Sequence, residues 1–159
     1  MVKAVYQGVP GMLRPFKEYI ERRSFPEGSE IVFYGVPGTC TPFVEILCYA
    51  IRSLPFRLIF VPYTDEGKAH ELKYKQDIGF QATELYSLKN PAVIVIMGGL
   101  SMPNMPVNAE SVNIVLNHWK GADTIGVCFM HMFEKAGWLD KMSFDLLIDA
   151  VINVETDTA

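Results

Sequence analysis

Apolar residues along the chain fall into short unbroken runs separated by segments of helical periodicity. Ile31–Phe33, Phe56–Val61, Ala92–Met97 and Thr124–Phe129 are rich in β-branched and aromatic side chains, the signature of strands covered on both faces. Strands are predicted over 30–34, 56–61, 92–97 and 124–129, with an edge strand over 150–154. Met12, Leu13, Phe16, Tyr19, Ile20 and Arg23 repeat at helical spacing, with Arg14, Lys17, Glu18, Glu21 and Arg22 largely outside the stripe. This reads as a surface helix. Helix 42–53 differs, because Phe43, Val44, Ile46, Leu47, Cys48, Tyr49, Ala50 and Ile51 leave little polar face. It is expected to be largely buried, either sandwiched in the core or at a subunit contact. Asn108 is placed to cap a further helix whose Val112, Val115, Leu116 and Trp119 share one face, with Gly121 suited to its C′ position. The charged stretch 62–76 suggests a short helix from Asp65 to Lys75, and 78–88 is ambiguous between a strand and a helical turn. Residues 131–135 and 143–149 read as helical pieces on either side of Gly137.

Strands alternating with helices imply a single α/β domain over 1–159, with three layers and a mainly parallel sheet of about five strands. The expected type is flavodoxin-like or Rossmann-like, with right-handed crossovers that bring the carboxyl ends of the strands to one edge. That edge gathers GVPGTCT (35–41), PYTDEG (62–67), GGLSMPNMP (98–106) and MHMF (130–133). In a flavodoxin-like order the first and third main strands are neighbours, so the cysteine loop and the glycine–methionine loop face each other.

Composition narrows the function classes. Half of the 159 residues are apolar and a fifth are charged, as in a globular chain with a substantial core. The formal charge of −4 leaves no electrostatic footprint for nucleic acid. No apolar run reaches the length of a membrane span. The N-terminal stretch lacks a signal-type apolar core, so a cytoplasmic location is expected. Three cysteines without paired spacing argue against a disulfide framework. The high apolar fraction predicts a homo-oligomeric interface.

A local repeat adds an expectation about geometry. Val5–Ile20 aligns without gaps on Val32–Leu47, with eight of sixteen positions identical, including GVPG. Shared strand–turn–helix geometry is expected for the two copies, without shared chemistry.

The site chemistry centres on the second copy. Gly35 and Gly38 supply backbone freedom, Thr41 is a credible N-cap and Pro42 suits the first helical turn. The amides and partial positive charge of such a helix start favour a small anionic ligand. Gly35, Gly38, Thr39, Cys40 and Thr41 are therefore candidate binding residues, with Gly98, Gly99 and Ser101 on the opposing wall. No Gly-Lys-Ser/Thr follows GVPG, and the G-x-G-x-x-G fingerprint is lacking, so no cofactor is named. A thiol just before a helix N-terminus can ionise readily, which makes Cys40 a candidate nucleophile. His131, beyond the fourth strand, is the best-placed base; His70 lies in the charged segment and His118 near a helix end. Met102, Met105, Met130 and Met132, with Cys128 and His131, lack a recognised ligand spacing, so no metal is assigned. Methionines near a crevice more often line an adaptable apolar pocket. Asp65 and Glu66 read as a solvated turn, and Asp140, Asp145 and Asp149 as exposed helix charges.

GVPGTCTPF after a strand, with AVIVIMGGLSMP downstream, resembles a family of uncharacterised small proteins from methanogenic archaea over nearly the whole chain. The resemblance implies a source and a cytoplasmic location, but no catalytic residue. The leading reading is binding of a small anionic ligand at the carboxyl edge of the sheet. The alternatives are a thiol-dependent enzyme or redox sensor using Cys40, and a non-enzymatic interaction protein using helix 42–53.

Overall fold

The computed structural model describes residues 3–159. Its elements are α1 (Gly8–Arg23), β1 (Glu30–Gly35), α2 (Thr41–Ala50), β2 (Arg57–Pro62), β3 (His70–Lys75), β4 (Gly79–Leu85), β5 (Pro91–Met97), α3 (Ala109–His118), β6 (Asp123–Phe129), α4 (Met132–Lys135) and β7 (Leu146–Ala150). One seven-stranded sheet runs in the order β4-β3-β2-β1-β5-β6-β7. β1 lies parallel to β2 and β5, β5 to β6, and β6 to β7, whereas β3 and β4 form an antiparallel extension beside β2. The sheet is therefore mixed and has seven strands rather than about five. Its parallel part alone keeps the doubly wound order 2-1-3-4-5, with the switch point between β1 and β5.

Chain direction fixes the layers. The β1-to-β2 and β5-to-β6 crossovers step in opposite directions across the sheet, so crossovers of one hand place α2 and α3 on opposite faces. α1 lies with α2, its Phe16 ring 6.1 Å from the Phe33 ring of β1. Every residue of β1 is buried, as are Val93–Met97 of β5. At the amino end of the parallel strands, the buried Glu30 carboxylate accepts hydrogen bonds from the Tyr86 hydroxyl and the Lys89 and Asn90 amides. Those partners satisfy a charge that would otherwise be costly to bury.

Several expectations are corrected. The helix expected from Asp65 to Lys75 is a single 3-10 turn, Glu66–Lys68, followed by β3. Leu72 faces inward there while Arg57, Glu71, Lys73 and Glu84 form a charged ladder on the other face, a pattern a charge-based reading mistakes for a solvated helix. Residues 79–85 are β4. The segment 143–149, expected as helix, contains most of β7, and residues 151–154 leave the sheet instead of forming its edge strand. Parallel pairing with the buried β6 overrides the helical spacing of Phe144, Leu147 and Ile148.

The repeated GVPG also parts company in space. Gly8–Gly11 is the first turn of α1, whereas Gly35–Gly38 ends β1 and turns into a loop. Ile31–Tyr34 before the second copy is buried in the sheet, while residues 3–7 before the first are exposed and form no strand. α2 is amphipathic rather than largely buried as expected for helix 42–53. Val44, Leu47 and Cys48 face the core, and Ile46 and Tyr49 are exposed on its outer side. The Arg52 guanidinium covers the Tyr49 ring at 3.9 Å, which lets an aromatic residue sit there. α3 begins at a reciprocal cap, in which the Asn108 side chain accepts from the Ser111 amide and the Ser111 hydroxyl from the Asn108 amide. Gly121 does not adopt the left-handed C′ conformation expected of it. Among the described residues no helix is long and apolar enough to cross a membrane.

Candidate functional site

The cysteine loop and the glycine loop meet at the switch point and border a half-open cavity of about 290 Å³. Its floor is Cys40, Met97, Gly98 and Gly99, all buried. Phe43, Met102, Phe129 and Met132 form half-buried walls, and the exposed Thr39 and Ile152 form the rim. The Phe43 and Phe129 rings lie 4.3 Å apart, closing one side. None of the lining residues is charged, and the lining atoms are almost entirely apolar.

The cysteine loop is held by its own backbone. The Cys40 amide donates to the Val36 carbonyl at 2.8 Å, and the Gly38 amide to the Thr41 hydroxyl at 3.1 Å. Pro37 and Pro42 carry no amide hydrogen. Internal bonds thus occupy much of the donor capacity expected to cradle an anion. Cys40, not Thr41, occupies the N-cap position, with helical backbone angles and no side-chain cap. Thr41 is the first helical residue, and its hydroxyl braces the loop. Gly38, at φ +80°, provides the turn.

Cys40 is packed rather than presented. Its sulfur rests against Gly99, its Cβ against Gly35, and it is 3% exposed. Burial pushes the thiol above its ordinary range, and hydrogen bonding to the Val36 and Gly99 backbone offsets this only in part. Proximity to a helix start suggested easy ionisation; desolvation outweighs it here. Cys48 is pushed up further by complete burial. Burial, with the nearby Asp149 carboxylate adding to it, pushes Cys128 up to about 12.

His131 does not line the cavity. Asp149 engages it twice, accepting from its amide at 3.0 Å and pairing with Nδ1. Asp149 therefore belongs to β7 and holds the β6–α4 turn, where a helix surface charge was expected. Met130 and His131 both adopt left-handed backbone angles, φ 51° and 62°, an uncommon conformation outside glycine. Among the remaining candidates, Thr39, Cys40, Gly98 and Gly99 line the cavity, while Gly35, Gly38, Thr41 and Ser101 shape its loops. The Ser101 hydroxyl donates to the Gly98 carbonyl at 2.7 Å and closes the 3-10 turn Gly98–Ser101. No group of three or more His, Cys, Asp or Glu side chains among the described residues could hold a metal ion.

Residues 7–153 match the family described as "uncharacterized protein conserved in archaea" (DUF2124). The chain belongs to that family. An uncharacterised protein of Methanocaldococcus jannaschii is 36% identical over 147 residues, covering 92% of this chain and 88% of the relative. A second, from Methanothermobacter thermautotrophicus, is 35% identical over 150 residues, covering 93% and 92%. The crystal structure of a protein of unknown function from Methanothermobacter thermautotrophicus, 33% identical, superposes with a TM-score of 0.87 over 100% of this chain and 99% of that one. The family's function is unknown, and these similarities assign it none.

Phe43, Met97, Phe129 and Ile152 line the cavity without any sequence signal that marks a site. Apolar side chains at the ends of strands carry no chemical motif, and only the converging carboxyl edge hinted at them. Met102 and Met132 do lie in the cavity wall, whereas Met105 and Met130 do not.

Proposed function

We propose that the protein binds a small ligand through an apolar body seated in the cavity between the Cys40 loop and the Gly98–Ser101 turn. The observation that supports this reading is the cavity's position, at the switch point of a doubly wound sheet, where such folds take their ligands. An anionic group on that ligand belongs at the rim, beside Thr39 and the start of α2, and not on the sulfur-lined floor. Cys40 acts as a packed floor residue, since it is buried and its thiol is disfavoured as a thiolate. The three unpaired cysteines support a reducing compartment such as the cytoplasm.

The test uses 8-anilinonaphthalene-1-sulfonate, which joins an apolar ring system to an anion, alongside mass spectrometry of molecules that co-purify with native protein. Saturable one-site fluorescence enhancement is expected. Met132→Trp, which fills the cavity from a half-buried position, should weaken it about ten-fold or more while the protein stays folded, as loss of a buried pocket contact predicts. Equal binding by both proteins would contradict the assignment.

A second reading concerns association. We propose that the chain self-associates through the outer side of α2. Ile46, Tyr49 and Tyr74 are exposed there, with the two tyrosine rings 6.2 Å apart. Light scattering of the wild type and Tyr49→Glu tests it: a dimer that dissociates in the variant supports this face, and a wild-type monomer refutes it.

A further inference from the structure

We propose that residues 151–154, which leave β7 at the cavity rim, form a strap that controls entry to the cavity, with Ile152 as the residue that closes it. This rests on the ligand-binding reading for its purpose, though not for its geometry. Ile152 is the one cavity-lining residue contributed by the segment after β7, and it lines the space while half of its surface stays in solvent. An apolar side chain in that position stands at the mouth of an apolar space whose floor includes Cys40 and Met97.

The strap is hinged at a firmly held point and loosely held beyond it. The Met130 amide donates to the Ala150 carbonyl at 3.0 Å, and Asp149 fixes His131 through both amide and imidazole. Past Ala150 no strand or helix continues, and every residue from 151 to 159 is exposed. Within the strap, the Ile152 amide donates to the Met130 sulfur at 3.3 Å. A thioether is a weak acceptor, so swinging the strap away breaks little, and local opening at small cost is the expected behaviour of such a segment. Val151 and Val154 are also exposed. Of the three, Ile152 is the one that lines the cavity, so the closing contact is assigned to its side chain.

Cys40 on the cavity floor reports access without any ligand. Iodoacetamide labelling of the full chain at fixed pH is followed at each cysteine by peptide mass spectrometry, for the wild type, Ile152→Glu and Ile152→Gly. Both variants should label Cys40 about ten-fold faster, as expected when a local opening step is removed, while Cys48 on the core face of α2 keeps its rate. Ile152→Met should restore slow labelling. Equal Cys40 rates in all proteins, or a parallel rise at Cys48, would overturn the strap. Stopped-flow mixing with 8-anilinonaphthalene-1-sulfonate separates the two readings. Faster Cys40 labelling in variants of a protein that never binds the dye keeps the strap and removes the ligand reading. Dye binding at one rate in every form, with unchanged labelling, does the reverse.

Discussion

The sulfur of Cys40 and the α-carbon of Gly99 close the switch point between β1 and β5. A Cβ built on Gly99 would stand 2.5 Å from the Cys40 Sγ, closer than real side-chain carbons approach. Gly99 has no left-handed φ, so glycine is needed there for space and not for backbone freedom.

Gly99→Ala should therefore destabilise the protein by about 1–3 kcal/mol, the usual cost of overpacking. In a Cys40→Ala background the offending sulfur is gone, and the same substitution should cost about 1 kcal/mol less, a coupling expected of residues in contact. Urea unfolding of the four proteins in the cycle measures it. An identical penalty in both backgrounds would mean that some other contact sets the glycine.

Gly98 makes the contrasting case. Its built Cβ would lie 2.5 Å from the Cβ and 2.8 Å from the Cα of Cys128. Those atoms belong to the β6 main chain and to a carbon that alanine retains. Gly98→Ala should cost the upper part of the same ~1–3 kcal/mol range or more, and Cys128→Ala should not relieve it. Relief in the double variant would show that β6 can shift, with a more pliable cavity floor than the packing implies.

These two glycines show what the sequence made legible. Unbroken runs such as Val93–Ile96 announce central strands, and turn chemistry at Gly38 and Asn108 announces loop and cap. The four main strands, their parallel pairing and the facing loops follow from those signals. The antiparallel hairpin was hidden because Arg57–Glu71 and Lys73–Glu84 pair across strands on one face, and alternation there is masked by charge. β7 was hidden because five residues that pair with a buried neighbour need no strong pattern of their own. At the site, the loops could be read but the character of the space between them could not. Cys40 packs against Gly35 and Gly99, which lie far from each other in sequence.

Glu66 offers a test of how the carboxyl edge is tied to α3. Its Oε1 accepts from the Tyr34 hydroxyl and from the Trp119 indole, each at 2.8 Å. Tyr34 is fully buried, and burial together with this carboxylate raises its ionisation far above the ordinary phenol range. Glu66→Ala leaves both donors without that acceptor and should cost about 1–3 kcal/mol, whereas Glu66→Gln retains an acceptor oxygen and should cost less. Trp119 fluorescence should change in the alanine variant. A surface residue of no structural consequence would give two indistinguishable proteins.

Alkaline pH tests the packing of one buried thiol, Cys128, and two half-buried phenols, Tyr19 and Tyr86. Burial pushes Cys128 from about 9 to about 12, helped by Asp149. Tyr19 and Tyr86 rise to about 12 through burial together with hydrogen bonds to Asp123 and Glu30. In each case the folded protein holds its proton more tightly than the unfolded chain. The stabilisation is therefore complete below the unfolded values, near 9 for the thiol and 10 for the phenols. It is lost as pH rises toward about 12, because the unfolded chain releases protons first. Urea midpoints should stay level from about pH 7 to 8.5, below the ordinary thiol range, then fall steadily as it is passed. Cys128→Ala should lower stability at neutral pH by removing a buried side chain, yet flatten the decline above about pH 9, since one displaced titration is gone. A wild-type midpoint that holds level through about pH 11, beyond the ordinary thiol and phenol values, would show that these groups ionise no later in the folded protein than in the unfolded chain.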